Sequence, residues 1–357
     1  MKKKQLVFGL IVLVALVALI VWGRDRMHFD FGVFVSQLKL ADWRKIGIAL
    51  GCIYLAYGFR AARWALLLRH IKKVSPFSLL STQVIGFTAV ALIGRIADPV
   101  RPYLVAKKTG LPISNQIAVY IVERLFDAGS MALIFCTVIL LAPAGALPHP
   151  EIMKKASYGA LATTALGALF LVAVRLAGGV VASMLERAFS IVSKSFGHTV
   201  GEKIRTFRAG LDTLRTPGDF AGALTISLGM WGLITVAYLE ITTAFVASPQ
   251  LASLTLAKCM LLMASSMVAS GFQLPIIGWF SQIGLVAAAM SAFFGVAPEP
   301  ATACAATLLL VTFLGIVPVG LIWAQLEHIS LRKVTAESEH VSEELAVEEP
   351  ASSSTAS

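Results

Sequence analysis

The sequence predicts an all-α protein, a polytopic membrane helical bundle of about eight transmembrane helices with a re-entrant hairpin and amphipathic surface helices. Of its 357 residues, 57% are hydrophobic and 14% are charged, and its mean hydropathy is +0.80. Apolar runs long enough to cross a bilayer recur along the chain. The runs are continuous rather than alternating, which excludes a membrane β-barrel.

Each predicted transmembrane helix is an apolar run able to cross roughly 30 Å of hydrocarbon at about 1.5 Å per residue. The runs are 6–22, 46–68, 117–142, 157–176, 220–246, 253–270, 281–297 and 301–326. The first run follows "MKKK", as in a signal peptide, but no A-x-A cleavage site comes after it. A retained helix is therefore predicted there.

One further apolar segment, 78–94 ("SLLSTQVIGFTAVALIG"), is short and contains Ser, Thr and Gln. The lysines of "MKKK" predict a cytoplasmic N-terminus under the positive-inside rule. If 78–94 crossed the membrane, the lysines at 107–108 and the basic region 177–216 would lie outside. A re-entrant hairpin keeps both of them, and the C-terminus, in the cytoplasm. Irregular backbone at membrane depth also implies a polar cavity beside it.

A second interruption is predicted in "GFQLPIIGWFSQIG" (271–284), where Pro275 breaks an apolar run and Gln282 places an amide at membrane depth. The alternative is a kinked helix followed by a tight loop. Interrupted segments in both halves of a membrane protein are typical of a transporter substrate site.

Surface and terminal segments complete the predicted domain organisation. Residues 180–215 have apolar residues at helical spacing and basic residues between them, which predicts helices on the inner membrane surface or packed under the bundle. Residues 29–44 predict a short surface helix on the outer face. The membrane domain occupies 1–329, and the Glu/Ser/Ala-rich segment 330–357 is predicted to be a disordered acidic tail.

Ionisable residues at membrane depth need an explanation, because each costs about 2.5–3.5 kcal/mol in mid-helix. They form three clusters: Arg60 and Arg63; Arg95, Asp98 and Arg101; and Glu123, Arg124 and Asp127. The structural alternatives are interfacial anchors for the first cluster, a local ion pair in a cytoplasmic loop for the second, and a helix-joining salt-bridge network for the third.

The charges of the three clusters do not balance. Glu123 and Asp127 are i, i+4 neighbours that Arg124 alone cannot neutralise, so a basic partner from another segment is expected. Together the clusters hold five arginines against three acids, a surplus of +2. Such a surplus in a low-dielectric site favours an anionic ligand, and arginine matches the geometry of phosphate. The predicted substrate-binding residues are Arg60, Arg63, Arg95, Asp98, Arg101, Glu123, Arg124, Asp127 and Gln282.

Composition excludes several other functions. The net charge of +10 indicates cytoplasmic loops and lipid headgroups rather than nucleic acid. The four cysteines lie in separate apolar runs and the six histidines lie outside the predicted helix centres, so neither a metal site nor a catalytic nucleophile is predicted. There is no G-x-x-x-x-G-K-[ST] motif for ATP. We therefore predict no cofactor and no enzymatic activity.

The order of these motifs resembles a known family. "LKLADWRKIGIAL", "FRAARWALLLR", "GRIADPVRPYLVAKKTG" and "VERLFD" follow one another as in the lysylphosphatidylglycerol synthase transmembrane region, also called the flippase-like domain. The resemblance covers roughly residues 5–328 and is most specific over 38–130. Ala97 and Asp98 stand where the family usually has Gly and Glu, and Gln282 stands in place of an acid in its second half.

The resemblance implies movement of a phospholipid between leaflets, because this membrane domain is implicated in moving an aminoacylated phospholipid in the family's best-known members. A separate soluble domain makes that lipid in those members. Only residues 330–357 follow the last predicted helix here, so no aminoacyltransferase activity is expected. Other members are implicated in handling polyprenyl phosphates or glycolipids.

Three functions remain open at this point. The first is a translocase of the cytoplasmic membrane that binds an anionic phospholipid or a polyprenyl phosphate. The second is an accessory membrane subunit of a partner synthase or glycosyltransferase, and the third is a membrane-embedded enzyme acting on a lipid phosphate. Spacing of the GxxxG type, as at Gly47 and Gly51, is compatible with a homo-oligomer.

Overall fold

A computed structural model describes residues 29–94, 97–143, 150–191, 193–195, 197–201, 215–270, 277–331, 333–335 and 337. Every regular element among these residues is a helix, as predicted. The helices are α1 Phe31–Leu40, α2 Trp43–Leu68, α3 Pro76–Ile93, α4 Val100–Thr109, α5 Ile113–Leu140, α6 Pro150–Ser190, α7 Pro217–Thr243, α8 Pro249–Ala252, α9 Leu256–Ser270, α10 Ile277–Phe294, α11 Pro298–Thr312 and α12 Val317–Leu326, with a 3₁₀ turn at Leu314–Ile316.

Local sequence signals set the helix boundaries. The Asp42 side chain caps α2 by accepting from the backbone N–H of Arg44. Thr216 and Asp219 form a reciprocal capping box at the start of α7. At the end of α4, Gly110 adopts a left-handed conformation with φ of 68°, which glycine tolerates without steric cost.

The centre of the bundle is an antiparallel pair formed by α2 and α7. At one end, Arg69 and His70, just after α2, contact Asp219 in the first turn of α7. At the other end, the Lys45 Nζ atom near the start of α2 donates to the Thr243 carbonyl oxygen at the end of α7, at 3.3 Å. We call the end that holds Arg69 the basic end, because the lysine pairs 72–73 and 107–108 also lie there.

Contacts of α4 show that the chain reverses direction after α3. Lys108 in the last turn of α4 donates to the Ser81 hydroxyl near the start of α3, at 2.8 Å. Lys72, before α3, donates to the Thr109 carbonyl oxygen at 2.6 Å. Both ends of the segment 72–109 therefore lie at the basic end of the molecule.

The predicted re-entrant hairpin over 78–94 was placed incorrectly, because residues 76–93 form one uninterrupted helix of 18 residues. The reversal comes after that helix and α4 is the returning arm. Gly94, at the start of the turn, has a φ of 98°, which a residue with a Cβ rarely adopts. The polar residues within 78–94 do not break the helix because they pack inward, Thr82, Gln83 and Thr88 all being buried.

In the second half, the predicted helix 301–326 is broken. Its two parts, Pro298–Thr312 and Leu314–Leu326, are bent by 41° relative to each other. The second part packs on α3 so closely that a Cβ on Gly320 would overlap the Thr88 side chain. Glu327, just after α12, pairs with Lys108 at 2.8 Å, so α12 ends at the basic end.

The remaining helices follow the predicted order. Helix α6 runs through the predicted junction between 157–176 and 180–215 and has non-helical angles at Ala177. The predicted helix 6–22, the interruption at 271–276 and residues 202–214 lie outside the described residues. The start of the predicted tail is packed, since Val334 is buried and the Tyr103 hydroxyl donates to Glu337 at 2.8 Å.

Within the described residues, Pro76–Ile93 and Pro217–Thr243 are long and apolar enough to cross a membrane, and the bent pair formed by α11 and α12 makes a third candidate. Helices α2 and α5 are longer, with 26 and 28 residues, but each carries charges well inside its ends. The predicted number of about eight transmembrane helices therefore stays a prediction.

The reversal between α3 and α4 predicts the sidedness of the chain. Cysteines introduced as Lys73→Cys and Lys107→Cys, both at exposed positions, should react with a membrane-impermeant maleimide from the same side of sealed vesicles. Gln250→Cys, after the opposite end of α7, is the opposite-side control. Labelling of Lys73→Cys and Lys107→Cys from opposite sides would contradict the hairpin.

Candidate functional site

Glu123 of α5 is the centre of a buried charge cluster. Its carboxylate accepts from Arg63 of α2 at 2.8 Å and from Arg101 of α4 at 2.7 and 2.9 Å. The side chains of both arginines have no solvent exposure, and that of Glu123 has 2%. This contact confirms the predicted basic partner from another segment, and it joins three helices at one carboxylate.

Asp127 lies one turn further along α5 and pairs with the same arginine. Its Oδ1 is 2.8 Å from Arg63 Nη1 and accepts from the indole N–H of Trp231 on α7 at 3.3 Å. Arg63 also donates to the hydroxyl of Ser227 at 2.6 Å. The four residues Arg63, Arg101, Glu123 and Asp127, which we call the inner quartet, are therefore formally neutral.

The Arg101 side chain packs closely against α3. Its guanidinium donates to Gln83 Oε1 of α3 at 3.2 and 2.8 Å and lies over the ring of Phe87, 4.3 Å from the ring centroid. The side chain passes directly over Gly86, where a Cβ would overlap its Cγ. The interfacial-anchor and loop interpretations are therefore wrong for Arg63 and Arg101, which are interior residues.

Two further arginines lie outside the inner quartet and contact the same carboxylates. Arg60 of α2 is 3.5 Å from both Glu123 and Asp127. Arg124 of α5 is 3.0 Å from Asp127 and 3.5 Å from Glu123. We call these residues the outer pair. Their side chains are 11% and 41% exposed, whereas the arginines of the inner quartet are fully enclosed.

Asp98 lies in the turn between α3 and α4, and Arg101 pairs with Glu123 rather than with it. Among the described residues Asp98 has no ion-pair partner within 4 Å, although it interacts electrostatically with Arg124. Arg95 lies outside the described residues. The seven described members of the three clusters are four arginines and three acids, a net charge of +1 where the eight predicted +2.

A cavity of about 390 Å³ lies beside the cluster. The outer pair, Asp98 and Asp127 line one part of it. Two chain interruptions reach its wall, through Asp98 in the α3–α4 turn and through Thr312 and Phe313 at the break after α11. Broken helices at membrane depth are typical of transporter binding sites.

The opening of the cavity is marked by lining residues that are also exposed. Ala128 of α5 and Met267 of α9 are lining residues with exposed side chains, and Arg124 is partly exposed. On α5, the neighbouring exposed residues are Ile121 and Leu125. An apolar surface therefore flanks the polar opening on α5.

The remainder of the cavity wall contains neutral polar groups. Gln282 of α10 donates to the Ser266 hydroxyl of α9 at 2.8 Å, and Tyr238 of α7 lies close to Ser266 and Thr312. All four line the cavity, and we call them the neutral polar end. The structure thus brings Gln282 to the same cavity as the arginines, as the sequence analysis expected.

Several polar residues around the cluster were not identified from the sequence. Ser227, Trp231, Thr235, Tyr238 and Thr242 recur at intervals of three or four along α7 and are all buried. This spacing places them on one face of the helix. The pattern is visible in the sequence, but single hydroxyl and indole groups are uncharged and therefore do not by themselves indicate a site in an apolar helix.

No group of three or more His, Cys, Asp or Glu residues suited to a metal ion is found within the described part of the chain. Cys136, Cys259 and Cys304 are buried free thiols.

Fold and site together define an integral membrane protein with a buried Arg/acid cluster beside a polar cavity. The chain belongs to the family described as Lysylphosphatidylglycerol synthase TM region, which matches residues 6–320. This match confirms the resemblance found in the sequence. No curated protein and no solved structure matches the chain.

The close approach of Arg101 to Gly86 gives a direct test of the cluster. Gly86→Ala should destabilise the protein by about 1–3 kcal/mol, because the new methyl group must displace the guanidinium stem from its place over α3. Unfolding in detergent would measure the effect. Gly58→Ala, on α2 with no heavy atom near the new methyl group, is the matched control and should be neutral or stabilising. Equal effects would show that Arg101 is free to move.

A double-mutant cycle tests the ion pair between Arg101 and Glu123. Arg101→Met and Glu123→Gln should each cost about 3–5 kcal/mol, because each leaves the inner quartet with one uncompensated buried charge. The double variant should cost less than the sum by about 2 kcal/mol. The exposed pair Lys108 and Glu327, at 2.8 Å, is the control, and its coupling should stay below about 1 kcal/mol. Additive losses for the buried pair would contradict the analysis.

Proposed function

We propose that the protein is a lipid translocase of the cytoplasmic membrane, with both termini in the cytoplasm, that binds the phosphate headgroup of an anionic lipid in this cavity. The observation that carries the proposal is the position of the surplus positive charge. The inner quartet is neutral, so the described net charge of +1 comes from the outer pair together with Asp98, and all three residues line the cavity.

Arg60 of the outer pair is suited to an anion because its existing contacts are long, whereas Arg124 lies 3.0 Å from Asp127. Arg60 is 3.5 Å from each carboxylate, a separation longer than that of a strong charge-assisted hydrogen bond. Glu123 and Asp127 already have closer partners in Arg63 and Arg101. A phosphate entering the cavity can therefore take donors from Arg60 and Arg124 without breaking the inner ion pairs.

The size and lining of the cavity favour a headgroup rather than a whole lipid. A volume of about 390 Å³ is near the lower limit for small-molecule sites. Exposed apolar residues such as Ile121 and Leu125 flank its opening. In the proposed mechanism the headgroup passes through the polar cavity while the acyl or prenyl chains stay in the bilayer.

The inner quartet would then be structural and the outer pair functional. In this mechanism Glu123 fixes α2, α4 and α5 around the cavity, so that the guanidinium groups of Arg60 and Arg124 are in position before the lipid arrives. Preorganised donors avoid the entropy cost of ordering two long side chains during binding.

Lipid retention in detergent tests the proposal. Native mass spectrometry of the purified protein should show a retained anionic phospholipid or polyprenyl phosphate. The double variant Arg60→Gln/Arg124→Gln should bind it at least about tenfold more weakly, because hydrogen bonds to charged groups are removed. Its loss of stability should be smaller than that of Glu123→Gln.

Lys107→Gln is the control for this experiment, since Lys107 is an exposed residue at the basic end. It should retain the lipid as the unmodified protein does. Reconstituted vesicles with a fluorescent anionic phospholipid would then show whether the outer pair is needed for movement between leaflets. Unselective retention of the same lipids by all variants would contradict the proposed headgroup site and would favour the accessory-subunit interpretation.

A further inference from the structure

We propose that the segment after α12 is a strap that holds α4 as a lever, so that release of the strap moves the cavity wall at Asp98. The strap comprises residues 327–331, 333–335 and 337. This inference goes beyond the proposed function, because it concerns a movement of α4 and does not depend on which ligand the cavity binds.

The strap runs back along α4 in the opposite direction. Glu327 pairs with Lys108 in the last turn of α4 at 2.8 Å. Glu337 accepts from the hydroxyl of Tyr103, nearer the start of α4, at 2.8 Å. Between these contacts, Val334 is buried in an apolar cluster that it shares with residues of α4. Two polar contacts and one buried side chain therefore fasten the strap along most of α4.

The turn at the end of α12 directs the strap onto α4. The backbone N–H of Ile329 donates to the carbonyl oxygen of Ala324 at 2.7 Å, and that of His328 donates to Gln325 at 3.1 Å. This is the hydrogen-bond pattern of a Schellman motif. His328 has a φ of 54°, a conformation that histidine adopts more readily than most side-chain-bearing residues. The start of the strap is therefore fixed in direction.

Helix α4 is anchored firmly at one point. Arg101, its second residue, is fully buried and pairs with Glu123 at 2.7 Å. The helix has only 10 residues, too few to be stable without packing partners. The turns on either side of it contain glycines with positive φ, Gly94 at 98° and Gly110 at 68°. In the proposed movement Arg101 is the pivot and these turns absorb the change in backbone angles.

The cavity and the strap lie on opposite sides of this pivot along the chain. Asp98 precedes Arg101, whereas the strap contacts Tyr103 and Lys108 beyond it. The turn that holds Asp98 is continuous with the helix, since the N–H of Arg101 donates to the Asp98 carbonyl oxygen at 3.4 Å and that of Tyr103 donates to Pro99 at 3.1 Å. Rotation of α4 about Arg101 therefore moves the strap contacts and Asp98 in opposite directions.

The strap is held less firmly than the pivot. The side chains of Lys108 and Glu327 are 32% and 30% exposed, and that of Glu337 is 36% exposed. Exposed ion pairs contribute little to stability because water competes for them. Segments with few buried apolar contacts open before the core does. The strap can therefore open while the inner quartet stays closed.

The reaction rate of an Asp98→Cys thiol with a maleimide in detergent tests the lever. Val334→Ser in this background should raise the rate by about three- to tenfold, because the strap loses its buried apolar side chain. Lys333→Ser changes the preceding position of the same strap, where the side chain is 78% exposed. This matched control should leave the rate unchanged.

The native buried thiols of Cys136, Cys259 and Cys304 are the internal reference for general unfolding, and they should stay protected in every variant. Acceleration of these thiols in parallel with Asp98→Cys would overturn the proposal, because Val334 would then only stabilise the fold. Hydrogen exchange of the strap amides should become faster in Val334→Ser. Faster exchange with an unchanged rate at Asp98→Cys would also overturn the proposal, because the strap would then open without moving α4.

Tyr103→Phe is the milder variant should Val334→Ser fail to fold. It removes only the hydroxyl that donates to Glu337 and should raise the Asp98→Cys rate by about two- to fivefold, as expected for the loss of one hydrogen bond. An unchanged rate in the folded Tyr103→Phe protein would contradict the lever. No lipid takes part in these measurements, so lipid retention by Arg60→Gln/Arg124→Gln decides the proposed function separately.

Discussion

The buried ion pairs of Glu123 are the interaction on which the rest of this structure depends. One carboxylate receives Arg63 from α2 and Arg101 from α4, and its own helix is α5. Each of these charges would be costly alone in an apolar interior, and each becomes tolerable only when the other helices are in place. The cluster therefore couples the packing of α2, α4 and α5, and it specifies their register.

This coupling explains why α3 and α4 form a hairpin. Arg101 reaches Glu123 from the buried first turn of the short helix α4, and Gly86 supplies the space for its stem on α3. Gln83 on the same helix accepts from its guanidinium. Polar residues on an otherwise apolar helix thus serve an arginine that comes from the returning arm.

The sequence identified the charged residues but did not show which of them form the buried ion pairs and which line the cavity. Charge counting predicts that Glu123 needs a distant basic partner, and the spacing of Arg60 and Arg63 shows that they share a helix face. It cannot show that Arg63 is enclosed while Arg60 lines a cavity, because residues three positions apart still differ in direction by about 60° around a helix. The predicted position of the hairpin turn was wrong for a similar reason. The polar residues within 78–94 suggested a turn inside that segment, whereas the chain reverses direction after it, at Gly94. The break at Thr312 was missed although Gly315 and Pro318 follow it.

The inner quartet is neutral and the outer pair is positively charged. This division argues against two simpler interpretations of the cluster, a purely structural salt-bridge network and a binding site without such a network. A salt-bridge network that only holds helices together has no need for Arg60 and Arg124, because Arg63 and Arg101 already balance the two carboxylates. A binding site without such a network would let its arginines turn toward water or the headgroup region. The two groups depend on each other. The neutral inner quartet fixes the geometry of the helices, and that geometry keeps the guanidinium groups of the outer pair at the cavity wall, where the proposed anionic headgroup would contact them.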